Sequence, residues 1–369
     1  MKNRKVGIRG AYGEYNFGDD ALMYFLYKWA KRNKINANFI GKEANYVSNF
    51  IPSKFYITKE KFHKYYFRSL IYGGGTQFFS FENTPRSGSK LKLLFRNPRL
   101  FIKKVQLAFE KKVISKQSNY DFLYSVGVGL GPFKEGSEIE KIAKDKISNM
   151  RGVFVRDKFS YNFTKPYNTN TFLSTDICFL PDIIDFKPFY NNSKKINKIG
   201  VILRDWSYSK EGAEYLDRVI EEASKLNSKY QVEFILFKDE VHCEMSIKNL
   251  GFNIIKWNPE NHNLEDFISS LSSFDLFISS RFHGVIFGAL LHIPSIAIEI
   301  EPKLKVTKEM LEDGVEIWKQ PFTDDLEGIV TNIDYETAKL SLKVAVKKHN
   351  KLATDMFNNL LALIKTITS

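Results

Sequence analysis

Apolar positions in this chain fall into short runs that alternate with stretches of helical spacing. Val6 to Arg9 is a run of strand length. After a glycine-bearing loop, Leu22, Phe25, Leu26 and Trp29 share one helix face while Lys28, Lys31 and Arg32 lie on another. "SLIYGGGTQF" carries a strand into Gly73, Gly74 and Gly75, and "DFLYSVGVGLGPF" carries another into Gly127, Gly129 and Gly131. "RGVFVRDKFSYNF" predicts a strand, then Arg156-Asp157 and a helix start, and "FLSTDICFLPD" predicts one more short strand. Phe186 to Lys198 is polar and turn-rich, which marks a linker. Beyond it the alternation resumes with "IGVILRDW", a helix over Glu211 to Asn227, "QVEFILFKD" and a helix near Val241 to Leu250. Phe274, Leu276, Phe277 and Ile278 form a buried strand, and after Gly284 the residues Val285, Ile286, Ala289 and Leu290 keep helical spacing up to Pro294. A last helix runs from Tyr335 to Ile367. Alternating β and α units predict parallel sheets with helices on both faces. The expected architecture is therefore α/β: two doubly wound domains, 1–188 and 196–334, facing a cleft, followed by a long C-terminal helix over 335–369.

The length of 369 residues agrees with two domains, and 43% hydrophobic content is that of a globular protein. No apolar run approaches the roughly eighteen residues of a membrane span, and MKNRKVGIRG lacks the apolar centre of a signal peptide. A soluble, cytoplasmic protein is expected. Cys178 and Cys243 are too few and too far apart for a disulfide framework or a zinc pattern. The formal charge of +13 asks for an anionic partner. Part of it is concentrated: from Thr84 to Lys116 ten Lys or Arg stand against one acid, Glu110, interleaved with Leu91, Phe95, Leu100, Phe101, Val105 and Phe109. This insertion suits a basic amphipathic surface resting on an anionic membrane, and it equally suits a solvated helical face beside a core-facing stripe. No zinc-finger or RNA-binding aromatic signature accompanies the charge, so nucleic acid is not an expected partner.

Candidate chemistry gathers at predicted strand ends, where open α/β sheets bind ligands. Arg281 and His283 follow a buried strand two residues apart, and in an extended segment they leave on the same face, placed to grip and protonate an anion. The competing reading is a histidine capping the sheet edge and an arginine paired with a carboxylate. Arg204 ends the second domain's first strand, where a buried guanidinium needs an anionic partner or a salt bridge. Two planar forks on one sheet edge suit a small ligand carrying a carboxylate and a phosphate. In "GAYGEYNFGDDAL", Asp19 and Asp20 open a helix. They would repel a phosphate and suit sugar hydroxyls, with either acid as base, or they are plain helix caps. Asn16 and Gly18 belong to this sugar-suited loop, and Gly75 and Gly129 sit in glycine sets that permit close backbone approach or positive φ, lining a cleft or making tight turns. No HxxxH or HExxH arrangement exists, so no metal site is expected.

The order of "GAYGEYNFGDDAL", "IYGGGTQF", "SVGVGLGPF", "VFVRDKFS", "STDICFLPD", "IGVILRDW", "ISSRFHGVIFGALLHIPSIAIE" and Lys303 resembles the polysaccharide pyruvyl transferase family, from Gly10 to about Lys303. The resemblance implies two Rossmann-like domains in a GT-B-like arrangement. It implies transfer of pyruvate from phosphoenolpyruvate to two hydroxyls of a sugar, giving a cyclic ketal in a bacterial exopolysaccharide or cell-wall glycan precursor. By it Arg204, Arg281, Phe282 and Lys303 hold the donor, His283 protonates it, and the acceptor is a glycan or lipid-linked saccharide. No cofactor is implied beyond phosphoenolpyruvate as co-substrate. Asp20 departs from the family's usual glutamate after Gly-Asp, which keeps the acid and shortens its reach, and 84–116 has no counterpart in the pattern. A cytoplasmic enzyme, peripheral at the inner face of the plasma membrane, is the resulting expectation. The alternatives are a GT-B glycosyltransferase using a sugar nucleotide and a non-catalytic glycan- or membrane-binding protein.

Overall fold

The computed structural model describes residues 2–77, 119–206 and 210–366. The basic stretch 84–116 lies outside the described residues. The first sheet contains β1 (Lys2–Arg9), β2 (Ala37–Gly41), β3 (Tyr56–Thr58), β4 (Tyr65–Gln77), β5 (Tyr120–Leu130), β6 (Met150–Val155) and β7 (Thr171–Leu173) in the order β3-β2-β1-β4-β5-β6-β7. The second contains β8 (Lys198–Leu203), β9 (Gln231–Leu236), β10 (Ile254–Lys256), β11 (Leu276–Ser279), β12 (Ser295–Ile298) and β13 (Val315–Trp318) in the order β10-β9-β8-β11-β12-β13. Every pairing is parallel. Their continuous apolar runs follow from burial on both faces, and β11 and β12 are buried along their whole length.

Helices cover these sheets: α1 (Phe17–Arg32), α2 (Glu138–Ser148) and α3 (Lys158–Thr164) belong to the first, and α4 (Lys210–Leu226), α5 (Val241–Asn249), α6 (Leu264–Leu271), α7 (Phe282–Leu290), α8 (Pro302–Leu311) and α9 (Leu326–Asn332) to the second. Two sequence expectations shift. Helix α1 begins before the paired acids, with Asn16 as its N-cap accepting from the Gly18 N–H at 3.3 Å, so Asp19 and Asp20 lie inside the first turn. "FLSTDICFLPD" leaves the sheet at Leu173, because the Asp176 carboxylate accepts from the Cys178 N–H at 3.1 Å and turns Ile177–Phe179 into a short 3-10 helix.

The domains are closed on each other. Phe17, at the start of α1, enters the second domain among Phe237, Trp257, Phe267 and Phe287, with ring centroids at 4.8, 5.2, 4.7 and 4.6 Å. Its N–H donates to the Phe237 carbonyl at 2.9 Å. The linker is pinned: Asn191 donates to the Phe274 carbonyl at 2.7 Å, and Lys339 donates to the Asn191 and Ser193 carbonyls at 3.0 and 2.6 Å. Lys339 belongs to α10 (Tyr335–Lys365), which crosses back to the first domain. There Phe357 packs on Trp29 at 5.0 Å, and His349 lies between Thr175 Oγ1 and the Met310 carbonyl, 2.8 Å from each. A carbonyl only accepts, so Nε2 of His349 carries the hydrogen and Nδ1 accepts from Thr175. Among the described residues no helix is long and apolar enough to cross a membrane.

Candidate active site

The carboxyl edges of β8, β11 and β12, which are neighbours, supply Arg204, Arg281 with His283, and Lys303 with Glu301. Arg281 keeps an extended backbone (φ −115, ψ 128) as N-cap of α7, whereas His283 is already inside that helix. The two therefore do not share a face of one extended segment, as the spacing predicts. Ser279 braces the turn, its hydroxyl donating to the Arg281 carbonyl at 2.9 Å and accepting from the Arg281 N–H at 3.1 Å. Gly284 is required beside it, since a Cβ there would stand 2.3 Å from Ser279 Oγ.

Each cation of this edge has a buried counter-charge. Arg281 pairs with Glu240, whose other oxygen accepts from the Asp205 N–H at 2.8 Å. Burial, and then the neighbouring Arg204, work against the Arg281 charge. Arg204 and Lys303 share Glu301, at 2.8 and 2.9 Å. Burial alone would raise Glu301, but Lys303, Arg204 and Arg281 outweigh it and hold the carboxyl below its ordinary value. Burial, with Arg204 close by, pushes the Lys303 ammonium down. These ion pairs leave donors over: the Nε groups of Arg204 and Arg281 are buried without a hydrogen-bond partner. Buried donors of this kind are uncommon and suit a ligand rich in acceptor oxygens.

The first domain closes over this edge. Gly18 of α1 abuts the imidazole, where a Cβ would lie 2.3 Å from His283 Nδ1. Asp19, one residue on, is bound by Asn16 Nδ2 at 2.6 Å; burial raises its carboxyl above the usual range, against the pull of His283, Lys303 and Arg281. Asp20 is placed differently. Fully buried, it accepts from Tyr46 OH at 2.7 Å and from Trp257 Nε1 of the second domain at 2.9 Å, a tie between domains rather than a group facing the cations. Gly75 has φ +71 and lies over Asp19, with Asp19 Oδ1 3.6 Å from the place of a Cβ. Gly129 makes room for Arg156, whose Nε would meet a Cβ at 2.8 Å.

Arg156, Asp176, Glu240 and Glu301 are site residues that sequence reasoning did not single out. Arg156 Nη1 donates to Asp176 Oδ2 at 3.0 Å, Nη2 donates to Thr76 Oγ1 at 3.2 Å, and the guanidinium stacks over the Phe282 ring at 4.0 Å. A signal for it existed: "VFVRD" at the end of β6 repeats the "VILRD" that places Arg204 at the end of β8. Asp176 Oδ2 lies 3.6 Å from His283 Nε2, which has no hydrogen-bond partner. Burial opposes the Asp176 charge, yet His283, Arg156 and the Cys178 N–H hold its carboxyl well below the usual range. Asp176, Cys178 and His283 also present ligand atoms within 4.8 Å of one another. Burial first, and then Asp176, keep the Cys178 thiol protonated, and Arg156 already occupies the carboxylate. That set suits a guanidinium and a proton better than a metal cation.

A family model described as polysaccharide pyruvyl transferase matches residues 16–302. No curated protein matches in sequence. Among solved structures the chain is similar to S. aureus MnaA in a co-structure with UDP, at 9% identity over 100% of this chain and 98% of that one, TM-score 0.59. It is similar to Anabaena HepE in complex with UDP and glucose, at 12% identity over 98% and 100%, TM-score 0.56. It is also similar to the lipopolysaccharide outer core galactosyltransferase WaaB in its apo form, at 10% identity over 99% and 100%, TM-score 0.51. At such identities the likeness concerns the fold, which is of the GT-B type.

Proposed function

Because this chain belongs to the polysaccharide pyruvyl transferase family, we propose that it transfers pyruvate from phosphoenolpyruvate to two hydroxyls of a sugar in a glycan or lipid-linked saccharide. The observation that carries this reading is the pair of buried, unpartnered arginine Nε groups beside Lys303 on the edge that also bears His283. Phosphoenolpyruvate brings a carboxylate and a phosphate, and two guanidinium forks match both geometries. Protonated His283 gives its proton to the methylene carbon, which becomes a methyl group and leaves C2 an oxocarbenium-like centre. One sugar hydroxyl adds to C2 and loses its proton, with Asp19 as the nearest carboxylate of the acceptor side. The C2–O bond to phosphate then breaks, its electron pair leaving with inorganic phosphate, and the second hydroxyl adds to C2 to close the ketal as its proton passes to the departing phosphate. A positioned general acid supplies about 10²–10⁴-fold of such a rate.

The test is phosphoenolpyruvate offered with candidate glycans, read by release of inorganic phosphate and a mass gain of one pyruvyl ketal on the acceptor. UDP in the MnaA and HepE structures supports a second reading, a glycosyltransferase using a sugar nucleotide. Thermal protection by a sugar nucleotide and none by phosphoenolpyruvate would decide for it. We propose that the basic stretch 84–116 makes peripheral contact with an anionic membrane face, a reading that suits a cytoplasmic enzyme acting on lipid-linked acceptors.

A further inference from the structure

The two halves of the proton-handling group come from different domains. His283 belongs to α7 of the second domain, while Asp176 stands in the turn after β7 of the first and carries Arg156 on the same oxygen. Asp176 is fully buried, and its two oxygens are assigned separately. Oδ1 accepts from the Cys178 N–H and fixes the turn, while Oδ2 takes Arg156 at 3.0 Å and faces His283 Nε2 at 3.6 Å. The imidazole is wedged between this carboxylate and the bare Cα of Gly18. The other titratable groups that face it are Cys178 from the same turn and Asp19 from α1, while Arg281 and Lys303 of its own sheet edge act on Asp19 as well. A carboxylate on one ring nitrogen fixes which nitrogen keeps its hydrogen and stabilises the charged ring.

We propose that Asp176 is the positioning residue for His283: its Oδ2, facing Nε2 at 3.6 Å, orients the ring and keeps the ring hydrogen on that nitrogen. This rests on the pyruvyl transfer reading. Arg156 shares the same oxygen at 3.0 Å and helps keep Asp176 ionised, so the carboxylate orients the ring without taking its proton.

Asp176→Asn keeps size and removes the charge. The expected result is turnover lowered 10- to 10²-fold, a part of the roughly 10²–10⁴-fold a general acid provides, with phosphoenolpyruvate affinity by calorimetry nearly unchanged. In a His283→Gln background the same substitution adds little, because there is no imidazole left to orient. An equal loss in both backgrounds overturns the proposal. Nitrogen-15 NMR of the imidazoles of the wild-type protein provides a readout that needs neither the variant nor turnover. Neutral His283 is expected as the Nε2–H tautomer, and the Nδ1–H tautomer overturns the pairing. If wild type shows the Nε2–H tautomer but no ketal forms with any acceptor, the functional reading fails while the Asp176–His283 pairing stands.

Discussion

Replacing Gly18 by alanine probes the seat of His283. A Cβ at this position lies 2.3 Å from His283 Nδ1 and 2.7 Å from Cγ, where ordinary contact begins at 3.4 Å. Ring and helix must therefore part by about 1 Å. Backbone strain does not enter, because Gly18 lies within α1 and alanine is the better helix former by up to about 1 kcal/mol. The perturbation falls on geometry at the proton donor, and a misplacement of about 1 Å there costs about 10²-fold in rate. Donor binding should be spared, since Arg204, Arg281 and Lys303 all stand on the opposite domain. The assay is phosphate release from phosphoenolpyruvate with a competent acceptor, beside donor affinity by calorimetry and a melting curve. Turnover down about 10²-fold, with donor affinity nearly unchanged and a cooperative melt lowered by the roughly 1–3 kcal/mol that overpacking costs, is the expected outcome. Full turnover by a folded Gly18→Ala protein would refute the assignment of His283 as an acid held against α1.

Arg204→Ala or Arg281→Ala should weaken phosphoenolpyruvate binding by about 1.5–3 kcal/mol, and Arg281→Lys should rescue only in part, because a point charge does not reproduce the fork. Arg281→Ala also strands Glu240, so stability should fall by about 3–5 kcal/mol and recover in Arg281→Ala with Glu240→Gln; no recovery would mean the two are not energetically paired. His283→Gln should leave donor affinity largely intact and lower turnover, and near-normal turnover would make His283 structural. Burial raises Asp20 to about 7, so the folded state holds a proton that the unfolded chain releases near pH 4. Stability from this group therefore falls as pH rises between about 4 and 7, by up to about 1.4 kcal/mol per unit, and levels above 7. Denaturant unfolding of wild type against Asp20→Asn isolates it, and a difference independent of pH would remove Asp20 from the account. The stretch 84–116 should bind anionic vesicles at low salt and less at physiological salt, and charge reversal at Lys103 and Lys104 that changes nothing would make it a solvated face.

Arg204 and Arg281 were legible in the sequence because a buried strand that ends in arginine requires an anion nearby, and strand ends of one sheet share an edge. The parallel order of both sheets followed from the alternation of short apolar runs and helical stretches. Glu240 and Glu301 were not legible, since local spacing does not say which carboxylate answers an arginine across neighbouring sheet edges. Asp176 was hidden by composition: Phe172, Ile177, Cys178 and Phe179 make a strand-like run, and only the side-chain bond of the aspartate to its own backbone diverts it. Asp19 and Asp20 read alike from position, yet one helical step, about 100°, turns Asp19 toward the cations and Asp20 into the seam with Trp257. Gly18 signalled only conformational freedom, whereas what it supplies is clearance for a ring from the other domain.

Helix α10 is synthesised after every element it packs against. Phe357 meets Trp29, Leu363 fills the space beside Gly152, and His349 reaches Thr175. The first domain is translated first, yet one of its apolar seams stays wet until these residues arrive. Loops of this length close late and slowly, and an uncovered apolar surface invites association meanwhile. The yield of active protein should therefore depend on whether that seam is kept from associating before α10 docks, as well as on the equilibrium stability of the finished fold.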